Sequence, residues 1–195
     1  MCKTTMILKM QGYWAVGSGK GGGKEVDSRI DRDADGLPYI PGKMLKGLIK
    51  DACLRLEKTG SKKYNFVKNV FGGQEDNKSN GLNRTATLSG KIYISDARLS
   101  PAIRQKLKEK TDLKDNLTRS IYSTAINNET GTADEQSLRG YEVAVPMELY
   151  AVMECECEKE IFDSIKIAAK KLVYTVGSHK SRGLGEVVIE FKDEV

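Results

Sequence analysis

Apolar and polar residues alternate in four stretches of the chain, and each stretch predicts a β-strand. The clearest stretch covers residues 141–157, where the odd-numbered positions from Val143 to Cys157 are apolar, four glutamates occupy even-numbered positions, and Glu158 follows at the next one. This alternation is typical of a strand with one buried face. The other three strands are predicted at residues 4–16, at residues 87–95, and around Val187, Ile189 and Phe191.

Apolar residues at helical spacing predict two long helices, at residues 43–58 and 159–173, and a short one near residues 101–110. The predicted elements follow the order β-α-β-β-α-β when the longer connections are set aside. This order predicts an α+β, ferredoxin-like fold with both long helices on one face of the sheet, the pattern also used by RNA recognition motifs. With 195 residues, we expect one domain that spans residues 1–195.

Three long connections interrupt this order, at residues 17–42, 60–86 and 101–140. The first contains a glycine loop at residues 17–25 and then a predicted hairpin that turns at Asp35-Gly36. The glycine loop matches G-x-G-x-x-G by spacing, but no helix follows it, and the P-loop pattern fails as well. Neither nucleotide-binding motif is therefore expected.

The acidic turn Asp31-x-Asp33-x-Asp35-Gly36 begins like an EF-hand loop. Its twelfth position, which should be glutamate, is Gly42, and two prolines interrupt the loop. We therefore favour a hairpin turn over a calcium site.

The charge of the chain is moderately basic, with 32 lysines and arginines against 27 acids and a formal net charge of +5. No apolar run approaches the ~20 residues of a membrane span. The four cysteines lack the C-x-x-C spacing of a zinc site, and the chain has one histidine. We expect a reduced, cytoplasmic protein that does not contact a membrane.

Two basic elements predict binding to a polyanion. Lys43, Lys46 and Lys50 form a stripe on the first helix, which Pro41-Gly42 starts and whose N-terminal end carries a partial positive charge. A second element is the glycine-rich loop at residues 177–185, which contains His179, Lys180, Ser181 and Arg182. A solvated helix face explains the stripe alone, but two such elements together favour a phosphate-bearing ligand.

The chain resembles the RAMP superfamily of CRISPR proteins, and within it the backbone subunits of type III effector complexes. The matching segments span nearly the whole chain in order: Val26-Asp27-Ser28, Leu37–Gly42 leading into Leu45-Lys46-Gly47, Phe71-Gly72, Ser95-Asp96-Ala97 and residues 177–185. The resemblance implies an RRM-like palm, a thumb hairpin at about residues 111–140, and assembly with further copies and other subunits along a guide RNA. The glycine loop is then expected to become ordered on RNA.

The resemblance also places Asp27 on the catalytic aspartate of the family, where it would hold a divalent ion, Mg²⁺ or Mn²⁺, during cleavage of a target RNA. Arg119 and Arg139 of the thumb are expected to contact RNA, as are the stripe lysines and residues 179–182. His179 has an alternative role as a general acid or base, but the family's site lies on the other loop. Trp14 is expected in the core or at a subunit interface.

Three functions remain open from the sequence. The first is a guide-RNA-binding subunit that cleaves target RNA as a metal-dependent endoribonuclease, and the second is an architectural subunit that binds guide RNA without cleaving. Asp27 favours the first. A processing endoribonuclease that acts alone is less favoured, because such relatives usually carry two of these folds.

Overall fold

A computed structural model describes residues 1–17, 26–59, 66–74, 87–127, 129–134 and 137–193. Its strands are β1 Cys2–Met10, β2 Gly73–Gln74, β3 Thr87–Leu88, β4 Ile92–Ile94, β5 Thr118–Ser123, β6 Arg139–Ala144, β7 Glu148–Cys155 and β8 Val187–Lys192. Its α-helices are α1 Gly42–Lys58, α2 Val67–Phe71, α3 Pro101–Glu109 and α4 Lys159–Leu172. Most of the predicted glycine loop, and most of the predicted irregular segment at residues 60–85, lie outside the described residues.

Four strands form the central sheet in the order β4-β7-β1-β8, and every neighbouring pair is antiparallel. Together with α1 and α4, these strands follow the chain order β-α-β-β-α-β. The predicted ferredoxin-like α+β arrangement is thus confirmed. The strands β5 and β6 form a separate two-stranded hairpin.

The two long helices cover one face of this sheet, and they pack against each other. Met6, Leu8 and Met10 of β1 alternate with half-exposed neighbours and are buried, as are Leu45 and Ile49 of α1. Burial of a side chain of this size contributes about 1.5–3 kcal/mol relative to exposure. The alternation seen in the sequence therefore marks the helix-covered face of the sheet.

The prediction of one long strand at residues 141–157 is wrong. The chain forms β6 and β7 instead, which belong to different sheets and are separated at Pro146. A proline has no N–H to donate to a strand ladder, and a change of sheet is a position where it is tolerated. Cys157 lies beyond the end of β7, and all four thiols are free.

Two other strand predictions are too long. The first strand ends at Met10, and the buried Trp14 next forms only an isolated bridge with Ala144, while its Nε1–H donates to Val145 O at 3.0 Å. The predicted strand at 87–95 is divided into β3 and β4. Gly90 lies between them, where an added Cβ would be 2.7 Å from Phe71 O.

The hairpin of β5 and β6 confirms a hairpin in the predicted thumb segment. Its ladder pairs Thr118 with Ala144 and Ser123 with Arg139. Beyond the ladder the chain turns near Gly131, which has a φ of 68°. The acidic turn is also present, at Asp33–Gly36, but its flanks form single bridges rather than regular strands.

No helix among the described residues is both long enough and apolar enough to cross a membrane.

Candidate functional site

Asp27 lies beside the outer end of the β5–β6 ladder, where β6 holds it by two hydrogen bonds. Its backbone N–H donates to Gly140 O at 2.7 Å, and its Oδ2 accepts from Gly140 N–H at 2.8 Å. The residue is exposed on the surface. The carboxylate is therefore in a fixed position and remains within reach of a ligand.

Two arginines that are distant in sequence line one cavity at the outer end of the β5–β6 ladder. Arg139, the neighbour of Gly140, and Arg182, from the glycine-rich loop, line a cavity of about 430 Å³. Its other lining residues are small: Ser123, Thr124, Ala125 and Ser137. No acidic side chain among the described residues pairs with either guanidinium. Guanidinium groups are side chains that bind phosphate through two parallel hydrogen bonds.

The glycine-rich loop is pinned to the segment after β1 by close backbone contacts. Gly177 and Gly185 have positive φ, and a Cβ at either position would lie about 2 Å from a backbone oxygen (2.1 Å from Ala15 O and 2.0 Å from Val176 O). Ser178 N–H also donates to Ala15 O at 2.8 Å. Only glycine allows this approach, so the loop has a defined conformation.

His179 is the only non-glycine residue with positive φ among those described, at 56°. Its ring stacks on Tyr141 of β6, with 4.5 Å between the ring centroids and 19° between the planes. The left-handed conformation costs roughly 1–2 kcal/mol, which the surrounding contacts must offset. The stack places the loop against the strand that holds Asp27. Tyr141 was missed by the sequence analysis, since it resembles any aromatic residue in a strand.

The structure thus brings together Asp27, Arg139, His179 and Arg182 around β6, and it places the other predicted residues elsewhere. Lys180 lines a second cavity, of about 480 Å³, which includes Asp51, Arg55 and Lys58. Ser181 is exposed. Arg119 is exposed on β5, where its guanidinium donates to Thr118 O at 3.1 Å.

The lysine stripe is less open than the sequence suggests. Lys43 is exposed, but Lys46 Nζ donates to Ile92 O at 2.9 Å and Lys50 Nζ donates to Gly72 O at 3.1 Å. These two ammonium groups therefore tie α1 to the chain around β2 and β4. Each can donate further hydrogen bonds, so contact with RNA remains a prediction for all three lysines.

The N-terminus of α1 is less open to a phosphate than the sequence suggests, because a carboxylate of the chain accepts a hydrogen bond from its first N–H. Gly42 N–H donates to Asp96 Oδ1 at 2.9 Å, and Arg98 binds the other carboxylate oxygen at 2.9 Å. Burial alone would raise the pKa of Asp96, but these two hydrogen bonds hold it below its usual value. Asp96 therefore stays ionised and acts as a cap.

The acidic turn is used for structure as well. Arg104 of α3 forms ion pairs with both Asp33 and Asp35, and Lys108 lies 3.3 Å from Asp35. Asp33 Oδ1 also accepts the N–H groups of Asp35 and Leu37. These contacts occupy the oxygens that a calcium ion would need, in agreement with the preference for a turn.

Asp27 has few carboxylate neighbours for binding a metal. No group of three or more histidine, cysteine, aspartate or glutamate side chains suited to a metal ion exists among the described residues. Mg²⁺ commonly binds through only one or two carboxylates and completes its shell with phosphate oxygens and water. A single exposed aspartate is compatible with that mode.

The four-stranded antiparallel sheet with two helices on one face defines a ferredoxin-like α+β protein. The RAMP superfamily model matches residues 8–188, and the chain belongs to this family. Among curated protein sequences, none matches this chain.

Two solved structures show the same fold over nearly the whole chain. A chain of the type III-B Cmr-beta complex bound to cognate target RNA is 13% identical, with a TM-score of 0.66 over 98% of this chain and 97% of that one. A chain of the apo Cmr-beta complex is 16% identical, with a TM-score of 0.68 over 97% of each. At these low sequence identities, the similarity establishes a shared fold alone.

Proposed function

We propose that this chain is a backbone subunit of a type III CRISPR effector complex, which binds guide RNA and cleaves complementary target RNA. Its partners are guide RNA, target RNA, other effector subunits and further copies of itself. The observation that carries the proposal is that Asp27 is bonded to Gly140, whose neighbour Arg139 lines one cavity with Arg182, in a member of the RAMP superfamily. The fold it shares with chains of a target-bound complex supports the same function.

The roles of the residues in this site follow from their charges. Arg139 and Arg182 hold phosphate oxygens, and the stacked ring of His179 keeps the glycine-rich loop against β6. Asp27 contributes the carboxylate next to the bond that is cut, and RNA supplies its own 2′-hydroxyl nucleophile. A divalent ion, Mg²⁺ or Mn²⁺, would supply charge neutralisation at the phosphate. Positioning of the target RNA therefore accounts for much of the rate of cleavage.

The alternative is an architectural subunit that binds guide RNA without cleavage. One contact favours it, because Asp27 Oδ2 accepts Gly140 N–H, as an aspartate with a purely structural role would. The same contact also orients the carboxylate, so both functions are compatible with it.

Replacement of Asp27 by alanine separates the two functions in a complex reconstituted with guide RNA. We expect Asp27→Ala to abolish target cleavage while assembly and target affinity stay within about twofold, since removal of a negative charge does not weaken RNA binding. Asp112→Ala, on an exposed aspartate of the 3-10 helix Thr111–Leu117, is the matched control and should cleave normally. EDTA should stop cleavage without releasing RNA. Undiminished cleavage by Asp27→Ala would favour the architectural function.

A further inference from the structure

The segment that follows Asp27 is held on β6 by one side chain, that of Glu142. Glu142 Oε2 accepts the Ile30 N–H at 3.1 Å, and Oε1 accepts from the guanidinium of Arg32 at 2.6 Å. The backbone N–H of Glu142 donates to Ser28 O at 3.0 Å. The Glu142 side chain is only 16% exposed, so its ion pair is partly shielded from solvent.

We propose that Glu142 is a positioning residue for Asp27, an inference that rests on the proposed cleavage function. The segment runs beside β6, with Ser28 bridged to Tyr141 in parallel. Gly140 fixes Asp27 at one end, and Glu142 fixes residues 30–32 at the other. A carboxylate suits this role because it has two acceptor oxygens and the segment presents two donors.

The direction of the Glu142 side chain distinguishes positioning from simple support of the hairpin. Its cross-strand neighbour on β5 is Ser120, yet both of its carboxylate oxygens bond to the segment that carries Asp27. Arg32 extends the link, since it also donates to Gly36 O at 3.1 Å and to Thr118 Oγ1 at 3.3 Å. The pair therefore joins the hairpin, the acidic turn and the Asp27 segment.

The first test compares cleavage with target affinity in the reconstituted complex. Glu142→Ala should lower the cleavage rate at saturating target about 10- to 100-fold, the range for loss of a group that orients a ligand or catalyst, with target affinity within about twofold. Glu142→Gln, which keeps one acceptor oxygen, should lose less. Glu154→Ala on β7, which removes a surface pair with Lys3, is the control and should cleave at the full rate.

A double variant tests whether the effect passes through the ion pair. Arg32→Ala should slow cleavage, and Glu142→Ala combined with Arg32→Ala should be no slower than Glu142→Ala alone, because both changes break the same link. Multiplied losses would show that the two residues act separately and would overturn the proposal.

Amide hydrogen exchange on the purified chain reads the position of the segment without any activity. Exchange at the Ile30 amide should become faster in Glu142→Ala and stay unchanged in Glu154→Ala. Unchanged exchange at Ile30, or full cleavage by a folded Glu142→Ala complex, would overturn the positioning role. If Glu142→Ala fails to assemble, Glu142→Gln and Arg32→Ala carry the same test. Cleavage by Asp27→Ala would instead overturn the proposed function. Hydrogen exchange at Ile30 would still test whether Glu142 holds the segment in position.

Discussion

Arg139 and Arg182 have an arrangement that stability alone does not explain. Two guanidinium groups that share a cavity repel each other, and no carboxylate among the described residues compensates them. Such a site gains energy when an anion enters, because a guanidinium binds phosphate through two parallel hydrogen bonds. We therefore expect RNA to contact this cavity more directly than it contacts the lysine stripe.

The change Arg139→Ala combined with Arg182→Ala tests this path. Loss of two phosphate contacts should weaken binding of single-stranded RNA similarly for all sequences, and should flatten the slope of log K against log [salt] by about 1.4, at about 0.7 for each contact. Binding is measured at several salt concentrations with RNAs of different sequence.

The control for lost charge is Lys170→Ala combined with Lys171→Ala, at two exposed lysines near the end of α4. This variant should keep the original slope. An equal flattening in both double variants would mean that RNA senses only the total charge of the chain.

Residue roles could be predicted from the sequence only in part. Asp27 was found through the resemblance, since an aspartate after a glycine loop is otherwise an ordinary polar residue. The partners of Lys46 and Lys50 could not be found, because they are backbone carbonyls of Ile92 and Gly72 that no local pattern marks. A helical wheel shows which face a side chain is on and not what packs there.

Among the elements, α1 shows how closely one glycine can fit. A Cβ at Gly42 would lie 2.2 Å from Ile94 O, whereas Gly47 has open space around it in the same helix. The close contact with Ile94 therefore requires glycine at position 42, whereas nothing around position 47 requires it.

We predict that Gly42→Ala lowers the free energy of unfolding by about 3 kcal/mol, because the chain around β4 must move to relieve the clash. Gly47→Ala should instead raise it by about 0.5–1 kcal/mol, since alanine is the better helix former. Urea denaturation of both variants measures the difference. A neutral Gly42→Ala would mean that α1 shifts freely against β4.

The ends of elements were harder to predict than their cores. Burial has the same period as the pattern of apolar residues, so the faces of β1, β7 and the two long helices follow from the sequence. The division at Pro146 was visible as a proline, yet the alternation continues on both sides of it. The change of sheet depends on β5, the preceding strand, which pairs with β6 in the hairpin and lies outside the alternating stretch.

At the scale of the whole molecule, the acidic turn and α3 are joined by a partly buried ion pair. Arg104 and Asp33 are 71 residues apart, so no local signal predicts their contact. The Asp33 side chain is 1% exposed. Burial alone would raise the pKa of Asp33, but the hydrogen bond from Arg104 and those of the backbone outweigh burial and hold it below its usual 3.8.

The sign of the pH dependence follows from this lowered pKa. Stabilisation by Asp33 is complete above its unfolded pKa and is lost as the pH falls through the lower folded value, below about pH 4. Arg104→Met should reduce the free energy of unfolding at pH 7 by about 3 kcal/mol, because it leaves a buried carboxylate unpaired. It should also make the free energy of unfolding fall less steeply as the pH is lowered, on the acid limb of the curve of stability against pH.

The control is Lys108→Met. Lys108 is a partner of Asp35 and its side chain is 52% exposed, so its loss should lower the free energy of unfolding by less than about 1 kcal/mol. Urea denaturation from pH 3 to pH 7 measures both variants. An acid limb that is as steep in Arg104→Met as in the unaltered chain would assign the pH dependence to other carboxylates, such as Asp96.

The joint at Val145 has a mechanical consequence. Val145 connects the hairpin to the central sheet, and the buried Trp14 fixes it there. At about 3.3 Å per residue, Gly140 lies roughly 17 Å from this joint, whereas the turn near Gly131 lies beyond the end of the ladder. Asp27, which is bonded to Gly140, therefore moves less than the turn when the hairpin tilts. The hairpin acts as a reducing lever: a swing at its tip reaches the carboxylate as a displacement of roughly one third of that size.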